Sequence, residues 1–207
     1  IENLERMDFQ SLDLVMEEKG CKAPVVENNW PDKAPYAPDC TAVVARSLTH
    51  LAVVFHVRGL DLLAKAMEDN GPTYKDSCCE MFITDPYDGT YYNFEINCIG
   101  TVNAAKRTSR INKTRLDADT LSRIIRHTST PREAIDQDGL HSWSVAMLIP
   151  LDVIGIDPRN VPVSARCNFY KCADDAAHHH HLSWNPIKIA KPDFHRPEYF
   201  GEMIFDQ

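Results

Sequence analysis

Four features that would assign this chain to a broad class are missing from its sequence. No apolar run reaches the ~18 residues that a membrane-spanning helix needs, and no signal-peptide pattern is visible. No pair of the seven cysteines has the C-x-x-C spacing of a zinc ribbon or a redox dithiol. Basic residues form no stripe and the formal net charge is −8, so nucleic-acid binding is not expected.

The bulk composition fits one globular domain. The chain has 207 residues, of which 43% are hydrophobic, enough for a sizeable core. We expect residues 1–29 to form an N-terminal arm with one edge strand near 12–16, and residues 30–207 to form the domain. The chain begins at Ile1 rather than Met. We therefore expect that an N-terminal segment was removed, which leaves secretion open.

Period-2 alternation of apolar and polar residues dominates from Cys40 onward. It predicts strands at 51–57, 78–84, 90–98, 141–149, 163–171 and 199–205. Two short helices are expected, one at 60–68 and one at 118–127 with Asp117 as N-cap. Many short strands with few helices indicate an all-β fold, an antiparallel jelly-roll-like sandwich. Cys98 and Cys167 fall on its apolar faces, where a free thiol packs as a small hydrophobe.

The non-core faces of these predicted strands carry an unusual set of polar side chains. The set comprises Asn93, Glu95 and Asn97 on one strand, Arg166, Asn168 and Tyr170 on another, and Glu80 on a third. Sugar hydroxyls both donate and accept hydrogen bonds, so amide, carboxylate and guanidinium groups suit them. Antiparallel sheets also commonly have one wet face without any function, and that alternative stays open.

The three tryptophans have different predicted roles. Trp143 lies within an alternating apolar set and is expected in the core. Trp184, in the stretch HHHHLSWNPI, is expected in a loop, where its ring can stack on the apolar face of a sugar or cap the open end of the sandwich. Trp30 precedes a proline and fits either a docked arm or a second stacking surface.

Two stretches carry a family resemblance. In YKDSCCEMFITDPYDGTYYNFEINCIG the matching positions are Asp76, Glu80, Phe82, Ile83, Tyr92, Phe94, Glu95, Asn97 and Gly100. From Asn168 onward an Asn-x-Tyr strand, a Ser-Trp segment, a Pro-x-Phe-His motif and a final Phe-Gly strand follow. Together these segments resemble the family 9 carbohydrate-binding modules and their bacterial relatives.

The resemblance implies a β-sandwich that binds sugars without catalysis, often as an accessory to a glycoside hydrolase in polysaccharide degradation. It implies a secreted, periplasmic or cell-surface location, loops that calcium can stabilise, and two aromatic walls around a terminal sugar. Trp184 is the expected first wall, and Trp30, Tyr170 or Tyr91 is the second. The ligand-binding residues expected on this basis are Trp184, Tyr170, Arg166, Asn168, Glu95, Asn97, Glu80 and His195.

Two other functions use the same residues. Glu80 and Glu95 on neighbouring strands could serve as the paired carboxylates of a glycoside hydrolase. The sandwich is also similar to the haem-binding DOMON domains, which hold haem between a Met and a His. Met81 and Met147, however, fall on apolar faces, where Met is ordinary core filler.

Metal ligation has two candidate locations. His178 and His180 could share zinc with Asp174 or Asp175, although a solvated histidine loop is the favoured interpretation. Calcium could bind the oxygen-rich turn at 85–89, which is also ordinary hairpin chemistry. His195 lies between two prolines, so a structural hydrogen bond is expected first and ligand contact second.

Overall fold

The computed structural model describes residues 1–206 and has two antiparallel sheets packed face to face, as the sequence predicts. Gln207, the last residue of the predicted domain, lies outside the described residues. The first sheet has the order β1-β3-β4-β10-β9. Its strands are β1 (Cys21–Pro24), β3 (Asp39–Arg46), β4 (His50–Ala64), β9 (Ile125–Thr128) and β10 (Ile135–Pro150).

The second sheet has the order β2-β12-β11-β5-β6-β7-β8, and β13 also pairs with β11. Its strands are β2 (Glu27–Asn28), β5 (Cys78–Thr84), β6 (Tyr91–Asn97), β7 (Val102–Arg107), β8 (Lys113–Arg115), β11 (Ser164–Cys172), β12 (His181–Ser183) and β13 (Gly201–Ile204). Short turns join some of the neighbouring strands, such as β3 to β4 and β6 to β7. Gly100, at φ +85°, makes the β6–β7 turn in a conformation that disfavours other residues.

The main core lies between the two sheets and follows from the alternation of the strands. Phe55 of β4 faces Phe169 of β11 edge-on, with ring centroids 6.2 Å apart. Cys98, Cys167 and Trp143 belong to the same buried cluster, which confirms their predicted core positions. All seven cysteines are free thiols in the structure.

The predicted edge strand at 12–16 was wrong, because this segment lies within helix α1 (Phe9–Lys19). Asp8 caps the helix, its Oδ1 accepting the Ser11 N–H at 2.8 Å. Leu12 and Met16, four residues apart, are fully buried on the outer face of the first sheet, whereas Leu14 is 67% exposed. The period is therefore helical, and the apparent alternation of these residues is not that of a strand.

The predicted helix at 60–68 was also wrong. β4 continues to Ala64 because Leu60, Leu62, Leu63 and Ala64 pair with β10. A positive φ of 65° at Asp61 and a register shift in the facing strand mark a bulge. Pairing between distant segments thus outweighs local helix propensity.

The second predicted helix was right at its start and too long. α2 (Ala118–Ser122) begins after Asp117, whose Oδ1 accepts the Thr120 N–H at 2.8 Å. Strand β9 then takes up residues 125–128. Segment 1–29 contributes α1, β1 and β2 to the sandwich, and the predicted boundary at residue 30 stays a prediction.

Candidate functional site

The outer face of the second sheet carries the polar residues that the sequence predicts to share one surface. β5 lies between β11 and β6, so the two polar strands belong to one sheet but are not direct neighbours. Glu80 of β5 lies opposite Tyr170 on one side and Glu95 on the other. Directly opposed residues of an antiparallel pair point to the same face, so these side chains share the outer surface.

A pocket of about 500 Å³ opens on this face, a size typical of small-molecule sites. Strands β5 to β8 and β11 form its floor, and segments 70–74 and 192–195 form its walls. The lining residues are Asn70, Gly71, Pro72, Tyr74, Glu80, Glu95, Asn103, Arg107, Arg110, Lys113, Arg115, Cys172, Asp174, His181, Pro192, Asp193, Phe194 and His195.

Glu95 is held in the floor by amide and hydroxyl donors. Its Oε1 accepts from Asn93 Nδ2 at 2.9 Å. Its Oε2 accepts from Asn103 Nδ2 at 2.8 Å and from Thr73 Oγ1 at 3.3 Å. Burial raises the pKa of Glu95, while these donors and Arg107 oppose the rise. The carboxyl therefore has a fixed position and orientation in the pocket.

Arg107 extends the same network toward the wall. Its Nε donates to Asn93 Oδ1, and its Nη1 donates to the Arg110 carbonyl at 2.7 Å. The side chain is anchored on two sides, and the residue is only 4% exposed. Because Arg107 also lines the pocket, its guanidinium is a preorganised donor for a ligand oxygen.

His195 closes one side of the pocket as a neutral imidazole. Its ring packs on Phe82 at 4.8 Å, and its Nδ1 lies 3.1 Å from the Tyr91 hydroxyl. Burial, together with nearby Arg107 and Arg110, lowers the pKa of His195 to about 3. A neutral ring can donate a hydrogen bond through one nitrogen and accept through the other.

Glu80 has surroundings different from those of Glu95. Its Oε1 accepts from the Cys172 thiol at 3.2 Å. Burial raises its pKa well above the usual range, and the acidic groups of Cys172 and Glu95 raise it further. The protonated form is therefore favoured at this position.

Two aromatic rings line the pocket above this floor. Phe194 stacks on Tyr170 with ring centroids 4.2 Å apart and planes 13° apart. The Tyr170 hydroxyl also donates to the Phe194 carbonyl at 3.1 Å, which fixes the wall segment. Tyr74 is 40% exposed and lies in the turn at 73–75. Phe194 and Tyr74 therefore offer apolar ring surface at the pocket.

Three of the eight predicted ligand-binding residues line the pocket: Glu80, Glu95 and His195. Their contact with a ligand stays a prediction. The other five lie elsewhere, and each has a structural contact that accounts for it.

Among those five, the two asparagines brace backbone. Asn97 Nδ2 donates to the Ala66 carbonyl and to Asp76, both at 2.9 Å. Asn168 Nδ2 donates to the Asn185 carbonyl at 3.0 Å, and its Oδ1 accepts the Asn185 N–H at 2.9 Å. Both are fully buried, so a pairing with sugar hydroxyls would have to replace these bonds.

The remaining three are placed outside the pocket lining. Arg166 Nη2 donates to the Phe200 carbonyl at 2.6 Å. Tyr170 is fully buried beneath Phe194, so its ring is not an open stacking surface. Trp184 packs against the main core, 5.7 Å from Phe169, on the opposite side of the sheet from Tyr170. The expected ring-stacking roles of Tyr170 and Trp184 therefore do not fit their positions.

Sequence reasoning missed the aromatic and basic parts of the pocket. Phe194 and Tyr74 sit in irregular segments, where alternation gives no signal. The basic residues were set aside because they form no stripe along the sequence, yet Arg107 on β7 and Lys113 and Arg115 on β8 line the pocket. The available signal was the two-residue spacing of Asn103, Ala105 and Arg107, which places all three on one face of β7.

The histidine run agrees in part with the favoured interpretation as a solvated loop, because His178 and His179 are exposed. His178 Nδ1 contacts Asp61 at 2.9 Å, whereas His180 is buried with its Nε2 2.8 Å from Lys171 Nζ. Burial lowers the pKa of His180 well below its usual range. His178 and His180 thus face different partners and do not converge on one metal.

The turn at 85–89 does not fit a calcium ion as it stands. The Lys106 ammonium lies 2.9 Å from Asp85 and 2.7 Å from Asp88, so it occupies the position between the two carboxylates. Met81 and Met147 are also not placed to bind a haem iron, since both side chains are fully buried between the sheets.

Known protein families were compared with this chain by sequence. The sequence profile of carbohydrate-binding family 9 matches residues 10–205, nearly the whole chain. This chain belongs to carbohydrate-binding family 9. Among curated proteins, no sequence matches it.

Solved structures of similar proteins agree with this family. A Bacteroides uniformis protein whose description proposes carbohydrate binding is 28% identical with a TM-score of 0.85, and the match covers 94% of this chain and 90% of that one. A family 9 module from Caldicellulosiruptor kristjanssonii in complex with glucose is 16% identical with a TM-score of 0.53, covering 87% and 84%. The same module in complex with cellotriose gives equal identity and TM-score, covering 87% and 82%.

Across residues 1–206, no helix has the length and apolar character that a membrane span requires.

Proposed function

We propose that this member of carbohydrate-binding family 9 binds the end of a saccharide in the pocket on the outer face of the second sheet and does not cleave it. The observation that carries the proposal is the pairing of open aromatic surface with a fixed polar floor. Phe194 and Tyr74 supply the rings, and Glu95, Asn103 and Arg107 supply the polar groups.

The chemistry of a pyranose suits this arrangement. The C–H face of the sugar packs on an aromatic ring, while neighbouring hydroxyls pair with a carboxylate or a guanidinium. Because Glu95 and Arg107 are already held by other side chains, little ordering is needed when a ligand binds. The related module with bound glucose and cellotriose makes gluco-configured saccharides the first to try.

A wider role follows from the family. We propose that the chain serves as an accessory to polysaccharide degradation outside the cytoplasm, with a glycoside hydrolase as partner. We also propose that a calcium ion stabilises a loop other than the turn at 85–89.

Isothermal titration calorimetry tests the binding site. The panel contains glucose, cello-oligosaccharides, xylo-oligosaccharides and uronic-acid saccharides, the last because Arg107, Lys113 and Arg115 add positive charge to the lining. Tyr74→Ala is expected to weaken binding about five- to tenfold, on the basis of an aromatic contact of about 1–1.4 kcal/mol. Tyr87→Ala is the matched control, since Tyr87 is 61% exposed and lies outside the pocket lining.

Equal affinity in wild type and in Tyr74→Ala would contradict the pocket as the site. A panel in which no saccharide binds the wild type would contradict carbohydrate binding itself.

The opposed carboxyl groups of Glu80 and Glu95 allow a test of the alternative function, glycoside hydrolysis. Opposed residues have Cα atoms about 4.5–5.5 Å apart, so the two carboxyls could be arranged as in a retaining glycosidase. We expect no release of reducing sugar from the bound saccharide. Release that is abolished in Glu95→Gln would establish a hydrolase instead.

A further inference from the structure

Two residues that line the pocket, Glu80 and Cys172, form a group with the buried thiol of Cys78 beside the turn at 73–75. The ligand atoms of Cys78, Glu80 and Cys172 all lie within 4.8 Å of one another, and all three residues are buried. Strand register explains this grouping. Cys78 and Cys172 are direct partners on β5 and β11, and Glu80 follows two residues along β5 on the same face.

Strand register makes His181 the candidate for a fourth ligand, although its nitrogens lie outside the group of three atoms that are within 4.8 Å of one another. This histidine pairs with Cys172 from β12, so His181, Cys172 and Cys78 occupy consecutive positions on three neighbouring strands. Among the described residues, the buried His181 Nδ1 has no hydrogen-bond partner. Its Nε2 lies 2.9 Å from Asp174 Oδ1. A carboxylate on the second nitrogen is the usual support for a metal-binding histidine.

The distances suit a small tetrahedral ion. With Zn–S bonds near 2.3 Å and Zn–O bonds near 2.1 Å, ligand atoms around zinc lie roughly 3.5–3.8 Å apart. The Cys172 Sγ to Glu80 Oε1 distance is already 3.2 Å. Since the atoms of Cys78, Glu80 and Cys172 lie within 4.8 Å of one another, a movement of about 1 Å completes a three-ligand site.

We propose that Cys78, Glu80 and Cys172, with His181 as fourth ligand, form a binding site for one zinc-class divalent cation. Two sulfur ligands with one imidazole and one carboxylate suit Zn²⁺, whereas Mg²⁺ and Ca²⁺ take oxygen ligands. Each thiol, and the protonated carboxyl of Glu80, loses its proton to solvent as the ion binds. The site shares the pocket with the proposed saccharide but uses neither Asn103 nor Arg107, so either proposal can fail without the other.

Cobalt substitution tests the site in the intact chain. The reduced, metal-free protein is titrated with Co²⁺ under anaerobic conditions with a phosphine reductant. We expect one equivalent to give a thiolate-to-cobalt charge-transfer band in the near ultraviolet and intense visible bands of a tetrahedral ion. Added Zn²⁺ should displace the Co²⁺ ion, so that both sets of bands disappear. A spectrum without the charge-transfer band would overturn the proposal.

Variants locate the ligands by competition with a chromophoric chelator. Cys172→Ala is expected to abolish the charge-transfer band or lower its intensity and to weaken zinc binding. Cys167→Ala is the matched control, because Cys167 lies on the same strand and faces the core. Asp174→Ala, which removes only the support of His181, is expected to weaken zinc binding about 10- to 100-fold.

The neighbouring histidines require their own control, because His178 and His179 are exposed and could bind metal without thiolates. The double variant His178→Ala/His179→Ala should keep the charge-transfer band and the zinc affinity. Loss of zinc binding in this double variant, with retention in Cys172→Ala, would assign the ion to the surface histidines and overturn the proposal. The wild-type cobalt spectrum decides the matter even if a cysteine variant does not fold.

Discussion

Trp184 and Gly201 give the sharpest test of how the site is oriented. Trp184 packs on the core side of the second sheet against Phe169, and Gly201 lies against the same indole ring. A Cβ added at Gly201 would meet the Trp184 ring at 2.6 Å, closer than any ordinary contact. The two positions are therefore coupled through packing and should not affect a ligand in the pocket.

The magnitudes follow from this contact. Trp184→Ala should destabilise the fold by about 3 kcal/mol, at the low end for a large aromatic because the ring is only partly buried. For a chain of this size the loss corresponds to a fall in Tm of about 6–12 °C. Gly201→Ala should cost about 1–3 kcal/mol through overpacking. In the Trp184→Ala background the same change should be neutral or slightly stabilising.

Urea denaturation of the four proteins measures this cycle, with an expected coupling of at least about 1 kcal/mol. Saccharide affinity, measured well below the lowest Tm, should be unchanged in Trp184→Ala. Additive effects would refute the packing contact. A stable Trp184→Ala protein that has lost saccharide binding would refute the placement of the site and restore Trp184 as a stacking wall.

Three further outcomes are expected. Asp76→Ala should cost at least about 3 kcal/mol in urea denaturation, because its carboxylate accepts the Lys65 and Ala66 N–H groups and Asn97 Nδ2; a cost below 1 kcal/mol would show that water replaces these bonds. His195 should make stability fall on acidification, because its folded pKa of about 3 lies below the unfolded value of ~6.5. The unfolded state binds more protons between these values, so the loss at pH 5 is roughly 2 kcal/mol, and His195→Gln should have a flatter pH profile than wild type. Lys106 lowers the pKa of Asp88 to about 2. The ion pair should therefore contribute to folding stability above the unfolded pKa of ~3.9, and this contribution should be lost as pH falls through 2. A dependence of stability on acid pH that is the same in Asp88→Asn and wild type would contradict the pairing.

Local sequence patterns predicted the sheet faces but not what covers them. Along β6 the alternation of Asn93, Glu95 and Asn97 with apolar residues fixes which side chains point outward, because the side-chain period of a strand is two. The pocket walls depend on contacts between distant segments. Phe194 is placed by its stacking on Tyr170, 24 residues earlier, and no local pattern encodes that contact.

The same distinction explains the errors. In the segment 12–16 a strand was predicted, but the four-residue spacing of the buried Leu12 and Met16 is that of a helix. In 60–64 good helix formers became strand because β10 pairs with them. For Trp184 the loop position predicted a ligand role, which stays a prediction, and only the course of β12 beside β11 places its ring on the core side.

The saccharide is proposed to bind on the pocket side of the second sheet, between the aromatic wall and the polar floor of the pocket. The most direct measurement is a crystal structure of the complex with the tightest saccharide found by calorimetry. We predict a terminal sugar ring against Phe194 or Tyr74, with hydroxyls on Glu95 and Arg107. A sugar stacked on Trp184, or bound anywhere outside the pocket, would contradict this location of the binding site.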